Sequence, residues 1–163
     1  MVMKFYRVKD AYIRFLRQYE PKVEENKDES RPYIGVVLEV NGVKYYAPFT
    51  SPKTKHEKMH NQADFRKIAG GKYGAINFSN MIPVPDNALI PVIFKDISDR
   101  KRRCLLEDQY RAVLKDQNGI KKTAEELHEL MFRDEAELDP FEARIRSRCN
   151  DLQKLESVYT LWK

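Results

Sequence analysis

The residues best suited to chemistry lie where a predicted β-strand ends. The run VKYYAPF is followed at once by two hydroxyls, Thr50 and Ser51, and then by the amine of Lys53. Hydroxyl and ammonium groups together can hold the oxygens of a phosphate and stabilise the charge that develops on it during transesterification. An imidazole follows at His56, and because it titrates near neutral pH it is a candidate acid or base. We therefore predict that these four side chains act on a phosphodiester.

The same stretch also concentrates positive charge. Residues 50 to 72 hold six cations and two anions, a net charge of +4 in a chain whose total is +5. A further cationic run opens a predicted helix, where positive charges oppose the helix dipole. Such clusters bind phosphate backbones with release of counterions, although each cation also serves as an ordinary solvated charge. The cations that we expect to contact a nucleic-acid backbone are Lys55, Lys58, Arg66, Lys67, Arg100, Lys101, Arg102 and Arg103.

These residues allow two other interpretations. His56 and Glu57 with His60 match H-E-x-x-H, in which two histidines on one helical turn bind zinc and the glutamate acts as base. The match would make the protein a zinc metallopeptidase, although the flanks lack an amphipathic pattern and the surrounding cations oppose a dication. In the other interpretation Thr50 and Ser51 only form a turn, and the chain is a non-catalytic RNA-binding module.

Length and composition describe a globular chain. The 163 residues are 42% hydrophobic and 11% aromatic, enough for the core of one domain over residues 1–163. Cys104 and Cys149 fall on the apolar stripes of predicted helices, so we expect two buried thiols. The N-terminus lacks the apolar core of a signal peptide, and no run is long enough to span a bilayer. We therefore expect a cytoplasmic protein with no membrane partner and no cofactor.

The order of the predicted elements puts the hydroxyls at the rim of a β-sheet. Two β-branched and aromatic runs, Tyr33–Val40 and Val43–Phe49, flank Asn41-Gly42, a dipeptide that favours a type I′ hairpin turn. We predict an α+β fold in which a small, highly twisted antiparallel β core or barrel has helices around it and a helical C-terminal region. The other predicted elements are a helix over Ala11–Tyr19, an exposed loop over Lys22–Pro32, strands over Tyr73–Phe78, Met81–Val84 and Ala88–Phe94, and helices from Ser98 or Asp99 to Gln117, from a capping box at Thr123 to Arg133, and from Asp139 along a stripe that reaches Trp162.

Several of these segments together resemble a known family. K-F-Y-R-V near the start, Y-I-G-V-V-L-E-V-N-G-V-K-Y-Y-A-P-F-T-S-P-K across the hairpin and G-A-I-N-F-S-N-M-I-P-V-P after it are similar to the ToxN/AbiQ/CptN family. That family comprises the endoribonuclease toxins of type III toxin–antitoxin systems. The resemblance covers about the first hundred residues in order and extends more loosely through the helical tail. Its most specific part is A-P-F-T-S-P-K with I-G-V-V-L-E upstream and I-N-F downstream.

The resemblance implies a fold, an activity and partners. The fold would be a compact, highly twisted β core like that of the MazF/Kid toxins, with helices around it. The activity would be metal-independent cleavage of cellular or phage RNA, usually at adenine-rich sites, leaving a 2′,3′-cyclic phosphate. The inhibitor would be a repeated RNA pseudoknot that the toxin cuts from its own precursor. Toxin and antitoxin RNA would close into a hetero-oligomeric ring, often serving phage defence by abortive infection.

The resemblance also assigns residues. The T-S-x-K centre of the family falls on Thr50, Ser51 and Lys53, and the H-E-x-x-H match is no part of the family pattern. Lys53 would stabilise the transition state, while the two hydroxyls would hold phosphate oxygens or position the ribose 2′-OH. Which group is the general base and which the acid stays open. Beside this centre the resemblance places Lys55, His56 and, in the strand that faces the turn, Tyr33.

Overall fold

The computed structural model describes residues 2–163 and shows a mixed α+β fold, which confirms the predicted class. One antiparallel sheet is surrounded by helices, most of which follow the sheet in the chain. The strands are β1 (Lys4–Val8), β2 (Tyr33–Val40), β3 (Val43–Thr50), β4 (Phe65–Lys67), β5 (Ala75–Asn77), β6 (Ile82–Pro83) and β7 (Leu89–Pro91). The helices are α1 (Asp10–Arg17), α2 (Thr54–Lys58), α3 (Arg100–Lys115), α4 (Gln117–Phe132), α5 (Pro140–Arg148) and α6 (Leu152–Val158).

The sheet is open. Its strand order is β4-β5-β3-β2-β1-β7, and β6 pairs with β3 beside this path. The end strands β4 and β7 have three residues each, and no ladder joins them within residues 2–163. Closure needs end strands that can pair with each other, and β7 stops at Pro91, which has no N–H to donate. The barrel form of the prediction is therefore wrong.

The hairpin of β2 and β3 forms as predicted. Val40 pairs with Val43 across the turn, and Asn41 and Gly42 have φ values of 52° and 81°, as a type I′ turn requires. Further along, Gly35 lies so close to Tyr46 that a Cβ would come within 2.1 Å of the ring. Only glycine fits there. The register shifts between Gly35 and Leu38, the pairing resumes and reaches Tyr33 with Pro48, and β3 ends at Thr50.

In the helical half, the helix boundaries differ from the prediction. Asp99 caps α3 as expected, since its Oδ1 accepts from the N–H groups of Lys101 (3.0 Å) and Arg102 (3.2 Å). Gly119 does not stop a helix, and the capping box expected at Thr123 is absent because α4 already begins at Gln117. The Thr123 hydroxyl instead donates to the Gly119 carbonyl (2.9 Å) inside the helix.

The last predicted helix is two helices. Asp139 and Glu142 form the capping box expected at the start of α5, with the Glu142 N–H donating to Asp139 at 2.8 Å. The helix then ends at Arg148, and the Asn150 N–H donates to the Ser79 carbonyl (2.9 Å) instead of to a helical carbonyl. Cys149 beside it is buried as predicted, whereas Cys104 is exposed, which corrects the expectation of two buried thiols.

The core lies between the sheet and the helices. Half of its twelve largest fully buried side chains are aromatic, and most of the twelve come from α1 and the hairpin. The loop before β2, predicted as exposed, anchors itself in this core through Val23, which is fully buried, and Asn26, whose Nδ2 donates to the Val8 carbonyl at 2.5 Å. Among residues 2–163, no helix combines the length and apolar character needed to cross a bilayer.

Candidate functional site

The predicted catalytic turn lies at the exit of β3. Thr50 is the last residue of the strand, Ser51 and Lys53 are exposed, and α2 begins directly afterwards. The Thr50 hydroxyl oxygen is different, because it is buried and has no hydrogen-bond partner among residues 2–163. Leaving a buried hydroxyl without a partner costs free energy.

Thr50, Ser51 and Lys53 line one wall of a cavity of ≈ 620 Å³. The second wall is the loop before β2, and the third is the first half of α3. The lining contains five cations and one anion, so its electrostatic character is strongly positive. The cations are Lys27, Arg31, Lys53, Lys101 and Arg102, and the anion is Glu24.

Most of these cations are open, meaning that no salt bridge in the part of the chain that the structure describes engages them. Arg31 is held by Glu24 at 3.0 Å, and Glu24 also accepts from the Asn80 side chain at 3.0 Å. Within the described residues, no salt bridge engages the other four cations of the cavity. The cavity is therefore suited to hold a group with several negative charges, such as a phosphate backbone.

Arg102 joins two walls of the cavity. Its Nη2 donates to the Ser30 carbonyl (3.2 Å), and its own N–H is capped by Asp99. Helix α3 thereby brings Lys101 and Arg102 to the loop before β2, far from them in sequence. The predicted cluster at residues 100–103 thus contributes to the site through its two middle members.

Gln109 holds the predicted catalytic turn in position, and sequence reasoning missed it. It is only 2% exposed, and its Nε2 donates to the Tyr73 carbonyl (2.9 Å) and the Thr50 carbonyl (3.3 Å). A Cβ at Gly74 would lie 2.0 Å from that same Thr50 carbonyl, so the backbone is packed tightly there. The available signal was an amide on the apolar stripe of α3, between Leu106 and Val113.

His56 has a supporting position. It is 3% exposed and does not line the cavity. Its Nδ1 accepts from the Lys53 N–H at 3.1 Å, which fixes the backbone of Lys53 and leaves the ring proton on Nε2. Burial, with the charges of Lys55 and Lys53, lowers the pKa of His56 below its ordinary value. The predicted acid or base therefore lies behind the cavity lining, with its ring buried.

Other predicted contacts fall away from the cavity. Tyr33 is 1% exposed, and burial raises the pKa of its hydroxyl, so its ring is core and cannot stack on a base. Arg66 is held by both carboxylate oxygens of Asp116, at 2.6 and 2.7 Å. Arg103 donates to the Ile97 carbonyl (2.9 Å). The remaining predicted cations lie outside the cavity lining, and they are Lys55, Lys58, Lys67 and Arg100.

The zinc interpretation is wrong for a geometric reason. Helix α2 ends at Lys58, and Met59 is extended with ψ 148°, so His56 and His60 do not share a helical turn. His56 also uses its Nδ1 to accept from the backbone. Within residues 2–163, no three His, Cys, Asp or Glu side chains are grouped to hold a metal ion.

The family profile and the related proteins that match this chain all belong to one group of toxins. A family profile described as toxin ToxN of the type III toxin–antitoxin system matches residues 4–160. The chain is 30% identical to the endoribonuclease ToxN of Bacillus thuringiensis subsp. kurstaki, over 77% of this chain and 66% of that protein. It is 35% identical to the endoribonuclease AbiQ of Lactococcus lactis subsp. lactis, over 56% of each.

A solved structure agrees over the full fold. It belongs to a study of bacterial type III toxin–antitoxin systems in which a non-coding RNA pseudoknot selectively inhibits the toxin. That structure and this chain superpose with a TM-score of 0.86 at 26% identity, over 99% of this chain and 98% of the other. The similarity therefore includes the helical half, where the residues that line the cavity on α3 lie.

Proposed function

Because the chain belongs to the ToxN toxin family of type III toxin–antitoxin systems, we propose that it is an endoribonuclease whose active site is the cavity beside Ser51 and Lys53. One observation carries the proposal. Two hydroxyls and an ammonium group meet further open cations in a single cavity of ≈ 620 Å³. These groups can hold a phosphodiester and stabilise the charge of its transition state.

The proposed reaction is transesterification within the RNA strand. The ribose 2′-OH loses its proton and attacks the adjacent phosphorus, the bond from phosphorus to the 5′-oxygen breaks, and that oxygen gains a proton. The products are a 2′,3′-cyclic phosphate and a 5′-OH. Atoms and protons balance without a metal ion or a co-reactant. The protein has to orient the attacking oxygen in line and to stabilise the extra negative charge on the non-bridging oxygens.

The hydroxyl groups and open cations of the cavity have parts in this reaction, and His56 supports them from outside the lining. The Lys53 ammonium stabilises the charge on the phosphate, and the Ser51 hydroxyl binds a non-bridging oxygen or positions the 2′-OH. The Thr50 hydroxyl, which has no partner among residues 2–163, would turn toward the bound nucleotide and bond to it. Lys101 and Arg102 hold neighbouring phosphates, and His56 keeps the Lys53 backbone in place.

The partners follow from the family and the charge. We infer that the antitoxin is a repeated RNA pseudoknot, which this chain cuts from its precursor and with which it closes into a ring in the cytoplasm. The family relationship and the positive cavity support an RNA partner. Lys55, Lys58, Lys67 and Arg100 would extend the RNA path beyond the cavity. We further infer that residues 1–163 act as one domain, because the sheet and the helices share one hydrophobic cluster. The family resemblance alone suggests that its core is MazF/Kid-like.

The test is cleavage of an adenine-rich RNA by the purified protein in the presence of EDTA, with mapping of the product ends. Cleavage that leaves a 2′,3′-cyclic phosphate, and that is lost in Ser51→Ala and Lys53→Ala, supports the proposal. Normal cleavage by both variants would refute the site. Tight binding with intact RNA would show a non-catalytic RNA-binding module instead.

A further inference from the structure

A second cavity adjoins the first. It has a volume of ≈ 730 Å³ and lies between β7, the segment that leads to α3, and the loop before β2. The two cavities share four lining residues, and these form the boundary between them: Ser30, Pro32, Arg102 and Leu106. A strand with one phosphate at Ser51 and Lys53 can therefore continue past Arg102 into the second cavity.

The second cavity differs from the first in chemistry. Its lining contains two cations and three anions, against five and one in the first, so it does not attract a phosphate in the same way. Much of its surface is aliphatic and comes from the stretch Ile90–Ile93 and from Ile97. Ile93 is 50% exposed, so its side chain is accessible to a ligand in this cavity. Exposed aliphatic side chains offer apolar contact to the face of a nucleobase.

Polar groups at the rim suit the edge of a base. Asp28 and Asp96 are exposed and line the cavity, and neither side chain makes a hydrogen bond or salt bridge among residues 2–163. Asp99 is already engaged, because its Oδ1 caps α3. A carboxylate accepts but does not donate, so two open carboxylates favour a base that offers an exocyclic amino group.

From these features we propose that the second cavity binds an unpaired, amino-bearing base of the nucleotide next to the cleaved bond. The proposal rests on the proposed function and adds to it a base subsite of stated chemistry. Arg102, at the boundary, holds the phosphate between the two nucleotides. Continuity with the proposed active site, and the change from a strongly positive lining to one with open carboxylates beside exposed aliphatic side chains, carry this assignment.

Fluorescence tests occupancy directly. Oligonucleotides carry 2-aminopurine at one position on either side of the cleavage site, and Ser51→Ala protein keeps them intact. We expect one position to change its emission on binding, and that change to be lost when Ile93→Asp is added. Leu161→Asp is the matched control, since Leu161 is 57% exposed and lies outside both cavities. Equal signals in both double variants would overturn the subsite.

Cleavage kinetics test the energetic contribution. Removing the base at the same position should slow cleavage by the wild-type protein roughly five- to hundredfold, the range for one stacked base. Ile93→Asp should cleave the intact RNA more slowly by a similar factor, and removing the base should not change its rate further. If the variant stays as sensitive as the wild type, the proposal is wrong. If the wild type cuts no RNA at all, the proposed function itself fails, which is a distinguishable result.

The edge contact has its own test. Replacing adenine by purine, which lacks the amino group, should slow the wild-type protein about tenfold, as expected for a hydrogen bond to a charged acceptor. The double variant Asp28→Asn with Asp96→Asn should discriminate several-fold less between the two bases. Unchanged discrimination would show that the carboxylates do not read the base.

Discussion

Two arginines show the difference between charge in a sequence and charge at a site. Arg66 and Arg102 both belong to the predicted cationic clusters, yet only Arg102 lines the cavity, and no salt bridge among residues 2–163 engages it. Arg66 holds both carboxylate oxygens of Asp116 beside the junction of α3 and α4, where a Cβ at Gly119 would lie 2.1 Å from its guanidinium. One is available to RNA, and the other stabilises the fold. The predictions below test that contrast.

The largest effect is expected at Lys53. Lys53→Ala should reduce kcat by roughly a hundred- to a thousandfold, the usual loss when a group that stabilises transition-state charge is removed. Lys55→Ala, its exposed neighbour outside the cavity, should change kcat by less than about threefold and act on RNA affinity only. Single-turnover cleavage with separate measurement of binding distinguishes the two. Equal losses of kcat would place the chemistry elsewhere.

Gln109→Leu should reduce kcat by about tenfold or more while RNA binding stays near normal. The substitution leaves the carbonyls of Thr50 and Tyr73 without their donor, so the catalytic turn loses its fixed position. Gln117→Leu is the control, because Gln117 also bonds to backbone groups but not to the turn. Both variants should lose stability in urea titration, and only the first should lose kcat. If kcat falls in both variants in proportion to their loss of stability, the role of Gln109 is structural only.

Arg66→Ala should affect stability, and Arg102→Ala should affect RNA binding. Arg66→Ala should lower the free energy of unfolding by about 1–2 kcal/mol, because it removes a bidentate, partly exposed pair with Asp116. Arg102→Ala should leave that free energy within about 0.5 kcal/mol and weaken RNA binding. Urea unfolding and RNA titration on both proteins provide the comparison. If Arg66→Ala weakens RNA binding as much as Arg102→Ala does, the contrast fails.

Salt dependence gives a smaller and more specific signal. For single-stranded RNA, each neutralised phosphate contributes about −0.7 to the slope of log K against log[salt]. Lys101→Ala should therefore make the slope shallower by about that amount. Lys154→Ala, at an exposed lysine on α6, should leave it unchanged. The same slope for Lys101→Ala and the wild type would remove Lys101 from the RNA path.

The smallest effect concerns pH. Because the folded pKa of His56 is lowered, the unfolded chain binds more protons than the folded one once the pH falls below about 6.5. The free energy of unfolding should therefore decline as the pH falls below that value. His56→Gln keeps an acceptor for the Lys53 N–H but does not titrate. Urea unfolding at pH 5 and 7.5 should show a larger decline for the wild type, and parallel declines would contradict this assignment.

The sequence predicts the local features of the site and misses those built from distant segments. The hairpin and the turn at Thr50 depend on neighbouring residues, so alternation and Asn41-Gly42 were sufficient. The loop wall with Lys27 and the support from Gln109 depend on where α3 packs, which no local pattern contains. For the same reason the pairing of Arg66 with Asp116 was not foreseen.

The errors at Gly119, Thr123 and Tyr33 share one cause, which is packing between elements. Gly119 and Thr123 carry ordinary signals for a stop and a start, but the helix continues because its glycine packs against the Arg66–Asp116 pair. Tyr33 was placed near RNA because its strand faces the turn, yet its side chain points into the core. Burial is decided by packing between elements, and a strand alone does not reveal which of its faces is covered.

The crowding of open cations around the catalytic turn has a consequence for the lifetime of the protein. Like charges gathered at one cavity repel one another, and the buried Thr50 hydroxyl adds a missing hydrogen bond. A polyanion that occupies the cavity relieves both penalties, so its binding raises the melting temperature of the chain. An inhibitory RNA would then also protect the toxin from proteolysis, and loss of that RNA would both release the nuclease and shorten its persistence in the cell.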